Sequence, residues 1–99
     1  NEFVMLEKEP APVNMDELKK LIGYPTMAKE AEIEGKVVLR IQVDGNGNYV
    51  KHIVIKDPNP ILTAEVSKQI KNLKFTPGIQ AGKPIKVWVT IPFDFHFVR

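Results

Sequence analysis

The strongest pattern along the chain is its last. From 85 to 97 every second residue is apolar: Ile85, Val87, Val89, Ile91, Phe93, Phe95 and Phe97 point one way, while Lys86, Thr90, Asp94 and His96 point the other. Alternation of period two marks a strand with one buried face, so one unbroken C-terminal strand is expected here. Val37, Leu39, Ile41 and Val43, set against Lys36, Val38, Arg40 and Gln42, predict a second half-buried strand. Tyr49 to Lys56 continues it after a short polar stretch as the other arm of a hairpin, although its alternation does not reveal which face is buried.

Helical signals fill the remainder. Asn14 and Glu17 stand at capping-box spacing around Met15, Leu18, Leu21 and Ile22, which predicts a short helix. Tyr24-Pro25 closes it, because a proline biases its predecessor away from helix. Pro25 in turn suits the first position of another short helix with Met27, Ala28 and Ala31 on its apolar side. In "DPNP" at 57–60, Asn59 is the expected cap and Pro60 the first turn of a helix whose Leu62, Val66, Ile70 and Leu73 share one side. At the other end of the chain, Phe3 to Leu6 has the composition of a short strand running into the connection "EKEPAP".

The apolar side of the last strand has to be covered, and the helices are the available cover. The expected fold is therefore α+β: a small antiparallel sheet, made of a hairpin plus a long C-terminal edge strand, with helices packed on one face. The word edge comes from Pro92. Proline donates nothing to a ladder and is confined to edges and bulges, so the last strand is expected to lie at an edge at least over its second half. A long free edge is a liability unless it is meant to be paired. Physics alone thus suggests a surface that accepts an incoming strand from a partner.

The polar stretch inside the hairpin, "VDGNGNYV" at 43–50, admits two readings. Asp44, Asn46 and Asn48 place oxygen ligands on alternate residues, as a calcium loop does at its start. Counted from Asp44, however, the sixth and twelfth places hold Tyr49 and Ile55 instead of the glycine and the bidentate glutamate such a loop requires. A turn asks only for residues that tolerate positive φ between two extended runs, which is what stands here.

Composition narrows the class further. A 99-residue chain with 43% hydrophobic and 26% charged residues has the make-up of one ordinary globular domain. No run approaches a membrane span or a signal peptide, and the start at Asn1 rather than methionine is what a fragment or processed product would show. Without cysteine, disulfides and thiolate metal sites are excluded. The net charge of +2 hides a split: residues 1–34 carry eight acidic and four basic side chains, residues 35–99 four and ten. The split fits two faces of one domain attracting each other, or a second half that favours an acidic partner. A nucleic-acid role is not expected, since the cations are scattered and lack an aromatic stacking platform beyond Trp88 and Tyr49. Nucleophilic catalysis is not expected either: the one serine, Ser67, sits among helical lysines, and His52 and His96 read as polar residues on the open face of separate strands. Asp94 and His96 share a strand face, but nothing marks out the further ligands a zinc site needs. No catalytic residue, metal site or cofactor is expected.

The landmarks "YP..A" at 24–28, "EGKVVLRIQVDGNGN" at 34–48, "NLKFTPG" at 72–78, "GKPIKVWV" at 82–89 and "PFDF" at 92–95 follow one another in this order. In order and spacing they resemble the C-terminal domain of the TonB energy-transducer family over about residues 24–97. Residues 1–23 resemble the extension of its Bacteroidetes-like branch, which divides the chain into an N-terminal extension, 1–23, and a TonB C-terminal-like domain, 24–99. One departure is Leu62-Thr63, where the family's helix often opens with Leu-Asp; it is expected to touch a cap position. The resemblance implies a periplasmic module, anchored to the inner membrane through a segment outside this sequence and driven there by an ExbB–ExbD-like complex. Such a module grips the TonB box of TonB-dependent outer-membrane transporters as an added strand on its last strand. The partner-binding residues this implies are Lys86, Val87, Trp88, Val89, Thr90 and Ile91, with Ile22, Gly23 and Tyr24 approaching the same segment. Lys86 would favour an acidic segment, and Trp88 is either a cross-strand packing partner or an interface anchor. A homodimer through the free edge is compatible with this picture. The alternative is a TolA-like or other periplasmic adaptor of similar fold that is not coupled to transport.

Overall fold

The computed structural model describes residues 6–97. Two short helices, α1 (Met15–Ile22) and α2 (Thr26–Glu30), precede a hairpin of β1 (Gly35–Val43) and β2 (Tyr49–Lys56). Then come α3 (Pro60–Gln69), a 3-10 turn at Ile70–Asn72, a small hairpin of β3 (Gly78–Gln80) and β4 (Lys83–Ile85), and finally β5 (Val87–Phe95). β1 is the middle of a three-stranded antiparallel sheet ordered β2-β1-β5. The predicted strand at Phe3 to Leu6 lies outside the described residues apart from Leu6.

The core forms where two periodicities meet. Val37, Leu39, Ile41 and Val43 of β1 are completely buried, and so are Leu62, Val66, Ile70 and Leu73 on the predicted side of α3 and its 3-10 extension. Phe93 and Phe95 of β5, Leu18 and Ile22 of α1, Ala28 of α2 and Phe75 complete this single cluster. At about 1.5–3 kcal/mol for each fully buried aliphatic side chain, this interlock dominates the stability of the fold. Three apolar expectations fail at its margin: Leu21 and Met27 are 60% and 69% exposed and Ala31 is exposed as well, because a helix of about two turns or fewer turns only a narrow stripe inward.

The turn reading of 43–50 is the right one. Asp44 Oδ1 accepts from the N–H groups of Asn46 and Asn48 at 2.8 and 2.9 Å, so this carboxylate oxygen is spent on its own loop. These hydrogen bonds hold the Asp44 pKa below the usual carboxylate range; desolvation opposes them, and the nearby cations Lys86 and Lys74 add a smaller lowering. Gly47 takes φ 81° and packs so closely that a Cβ would stand 1.9 Å from the Phe75 carbonyl oxygen.

Two cap assignments change. Asn14 does not cap α1 with its side chain; its amide instead donates to the Asn72 carbonyl and accepts from Lys74 N–H, at 3.0 and 2.8 Å. The backbone groups released at the end of the 3-10 turn compete for that amide and win. Asn59 does cap α3, accepting from Ile61 N–H, whereas Thr63 stands inside the helix and donates its hydroxyl to Asp57 at 2.6 Å. The departure at Thr63 thus touches a tether back to the preceding loop, not the cap.

The largest correction concerns the C-terminal alternation, which is two strands with a break at Lys86. Ala81 and Gly82, at φ 51° and 74°, make a tight turn that folds Lys83–Ile85 back onto Gly78–Gln80. Only Val87–Phe95 runs along β1, in unbroken register from Val43↔Val87 to Gly35↔Phe95. His96 and Phe97 lie beyond the strand. The N-terminal connection is fastened to the small hairpin rather than loose: Glu7 N–H donates to the Ile79 carbonyl at 2.7 Å, Thr76 N–H to Ala11 at 2.8 Å, and Gly82 N–H to the Glu7 carboxylate at 2.6 Å.

Candidate functional site

Among the described residues β5 pairs only with β1, so it is an edge strand along its whole length, as Pro92 led us to expect. Pro92 also fixes the phase of that edge. It stands opposite Val38, and because proline has no N–H this cannot be a pair that exchanges two hydrogen bonds. The register is unbroken, so Trp88, Thr90 and Asp94 share the orientation of Pro92 and turn their N–H and C=O groups away from β1. Val87, Val89, Ile91, Phe93 and Phe95 spend theirs on β1 instead. A segment laid along the edge meets full donor–acceptor pairs at Trp88, Thr90 and Asp94, and a carbonyl alone at Pro92.

A shallow cleft flanks each end of this edge. One, of about 270 Å³, is lined by Leu6, Glu9 and Pro10 against Trp88, Val89, Thr90 and Ile91. The other, of about 350 Å³ and mostly apolar, is lined by Lys19, Ile22, Gly23 and Tyr24 against Phe93, Asp94, Phe95 and His96. The second is built by the end of α1. Gly23, at φ 58°, donates its N–H to the Lys19 carbonyl at 3.0 Å, a left-handed exit that only glycine takes without strain. Tyr24 then packs edge to face on Phe95 and stacks on Phe97, with ring centroids 5.5 and 4.9 Å apart. Its hydroxyl donates to the Ile33 carbonyl. Desolvation, with the Glu34 carboxylate behind it, raises the Tyr24 pKa and keeps the phenol neutral.

The expected partner-binding residues therefore divide. Trp88 and Thr90 carry the free backbone groups, Val87, Val89 and Ile91 support them from the β1 side, and Lys86 sits in the break between β4 and β5. Ile22, Gly23 and Tyr24 lie farther along the same edge, beside 93–96; the five steps from Thr90 to Phe95 at the end of the strand amount to about 17 Å. Leu6, Glu9, Pro10 and the stretch Phe93–His96 are cleft walls that the sequence did not single out. The phase set by Pro92 was the available signal for Asp94.

Trp88 is a packing partner on the open face of the sheet. It stands opposite Gln42, with the Arg40 guanidinium 5.2 Å and the Lys51 ammonium 5.9 Å from its ring centroid. His52 is not on that open face: it is opposite buried Ile41, on the helix side, with Nδ1 2.8 Å from the Tyr49 hydroxyl. The irregularity of the β1–β2 ladder between Gln42 and Val43 shifts the register there.

A family model described as Gram-negative bacterial TonB protein C-terminal matches residues 21–97. Over 73 residues, 73% of this chain, the sequence is 33% identical to Protein TonB of Vibrio cholerae serotype O1. The match takes in 30% of that relative, so the chain spans under a third of its length. The solution NMR structure of the Pseudomonas aeruginosa TonB CTD is similar in fold, with a TM-score of 0.70 over 94% of this chain and 91% of that one at 24% identity.

Proposed function

The chain belongs to the family of Gram-negative bacterial TonB protein C-terminal domains, and from that premise we propose that it docks an extended partner segment by strand addition to the free edge of β5. The family is one of energy transducers, not enzymes. In this reading the segment is the TonB box of outer-membrane transporters, the domain works in the periplasm, and a region outside this sequence couples it to an ExbB–ExbD-like complex in the inner membrane.

The observation that carries the reading is the outward phase of Trp88, Thr90 and Asp94 on a strand whose other side is fully paired. Backbone pairing is largely indifferent to side chains, so one edge suits many partner sequences. A segment pulled along its length shares the load over several hydrogen bonds, and β5 passes that load to β1 through nine paired positions.

The test is a titration of isotope-labelled protein with synthetic TonB-box peptides from transporters of the same cell, following every backbone amide. The expected shifts concentrate at Trp88, Thr90 and Asp94 and extend to Gly23 and Tyr24. Binding that leaves those amides unmoved removes strand addition at β5 and favours an adaptor of the same fold.

A further inference from the structure

Among the described residues the sheet has a second free edge, β2, and its surroundings are unlike those of β5. The described residues cover the start of β2, where Asn48 bridges Lys74 and Phe75 N–H donates to the Gly47 carbonyl at 2.8 Å. Beyond that, Val50, Ile53, Val54 and Ile55 are between 40% and 56% exposed, on a strand with no proline. They bracket the edge from both sides. Ile53 is opposite Arg40 and shares the open face, whereas Val54 is opposite buried Leu39 on the helix side. An edge with apolar side chains on both faces is a pairing template.

Its charge says what would pair. Lys51 and Lys56, opposite Gln42 and Val38, stand on the open face beside Lys36 and Arg40 of β1. Asp57, the nearest acid along the chain, turns away to accept the Thr63 hydroxyl. A second copy of this chain paired along β2 would bring its own Lys51 and Lys56 onto the same open face as these cations, and like charges gathered on one face are unfavourable.

We propose that β2 is a second docking edge, taking an extended polypeptide segment in which acidic residues alternate with apolar ones. Its carboxylates would fall on the face shared with Lys51, Lys56 and Arg40, and its apolar side chains on the face shared with Val54.

The test uses the labelled protein and two short synthetic peptides, one alternating glutamate with valine and one alternating lysine with valine. Amide shifts at Val50–Lys56 are expected with the first peptide and not the second. Reversing the exposed charges together, Lys51→Glu with Lys56→Glu, should weaken the glutamate peptide at least roughly tenfold and admit the lysine peptide. Silence at β2, an equal response to both peptides, or a β2-dependent dimer in sedimentation would each overturn the proposal. Thr90→Pro separates the two edges, because it removes an outward donor on β5 and leaves β2 untouched. Lys56→Glu alone does the same for β2, since Lys51 also faces the Trp88 ring, so loss of either edge's binding in these two single variants speaks only to that edge.

Discussion

The two outer strands of the sheet show how differently a free edge can be held. β5 buries Phe93 and Phe95 on its core side and keeps perfect register with β1. β2 contributes little to the core and follows β1 through two irregularities. The edge of β5 is consequently a rigid rail whose donors stand at fixed positions between two clefts. That of β2 is a looser strand whose specificity would reside in side chains and charge. Exposure of backbone alone does not define a docking site; what anchors the opposite side of the strand decides whether it can bear load.

Truncating the anchored strand breaks this contrast most severely. Phe93→Ala should cost about 3–5 kcal/mol in denaturant unfolding, whereas Ile55→Ala on β2 should stay within about 0.5 kcal/mol. Gly47→Ala comes next, at about 2–4 kcal/mol, since a side chain at positive φ would collide with Phe75 and unseat the β1–β2 turn. Its expected mark is faster amide exchange through β2, with β5 less affected.

A proline pair sharpens the phase of β5. Val89→Pro removes a donor spent on β1 and should cost about 1–3 kcal/mol. Thr90→Pro should leave stability nearer wild type while weakening peptide binding roughly tenfold. Equal destabilisation by both would mean that the outward phase is wrong.

The smallest effect is one of pH. Because the folded-state pKa of Asp44 is lowered, its stabilisation is fully present above an ordinary aspartate value of about 3.9 and is lost as pH falls through the lower folded value. The stability gap between wild type and Asp44→Ala should therefore close in acid, with exchange protection of Asn46 and Asn48 falling first.

Much of this was legible before any coordinates. The buried sides of β1 and α3 follow from Val37, Leu39, Ile41 and Val43 and from Leu62, Val66, Ile70 and Leu73, because each list repeats with the period of its own element. Pro92 announced the edge. What misled was the run from Ile85 to Phe97: its alternation is real, yet Ala81-Gly82 turns the first residues onto Gly78–Gln80, and period two does not say which neighbour a strand pairs with. The candidate site was readable in part. Trp88 and Thr90 stand in the expected stretch, but the joining of Ile22–Tyr24 to Phe93–His96 depends on where α1 ends in space.

The sequence alone determined the local things: where α1, α2, α3 and the β1–β2 hairpin form, which side of β1 and of α3 is apolar, that 44–48 is a turn, and that the last strand stands at an edge. These are set by interactions a few residues apart, where side-chain period and backbone sterics act directly. Only the tertiary structure decided the strand order, the break at Lys86, the diversion of Asn14 from its cap and the exposure of β2. Each of those is a competition between groups distant in the chain, such as Asn14 with 72–74 or Gly47 with Phe75, and its outcome depends on which partner packing brings within reach.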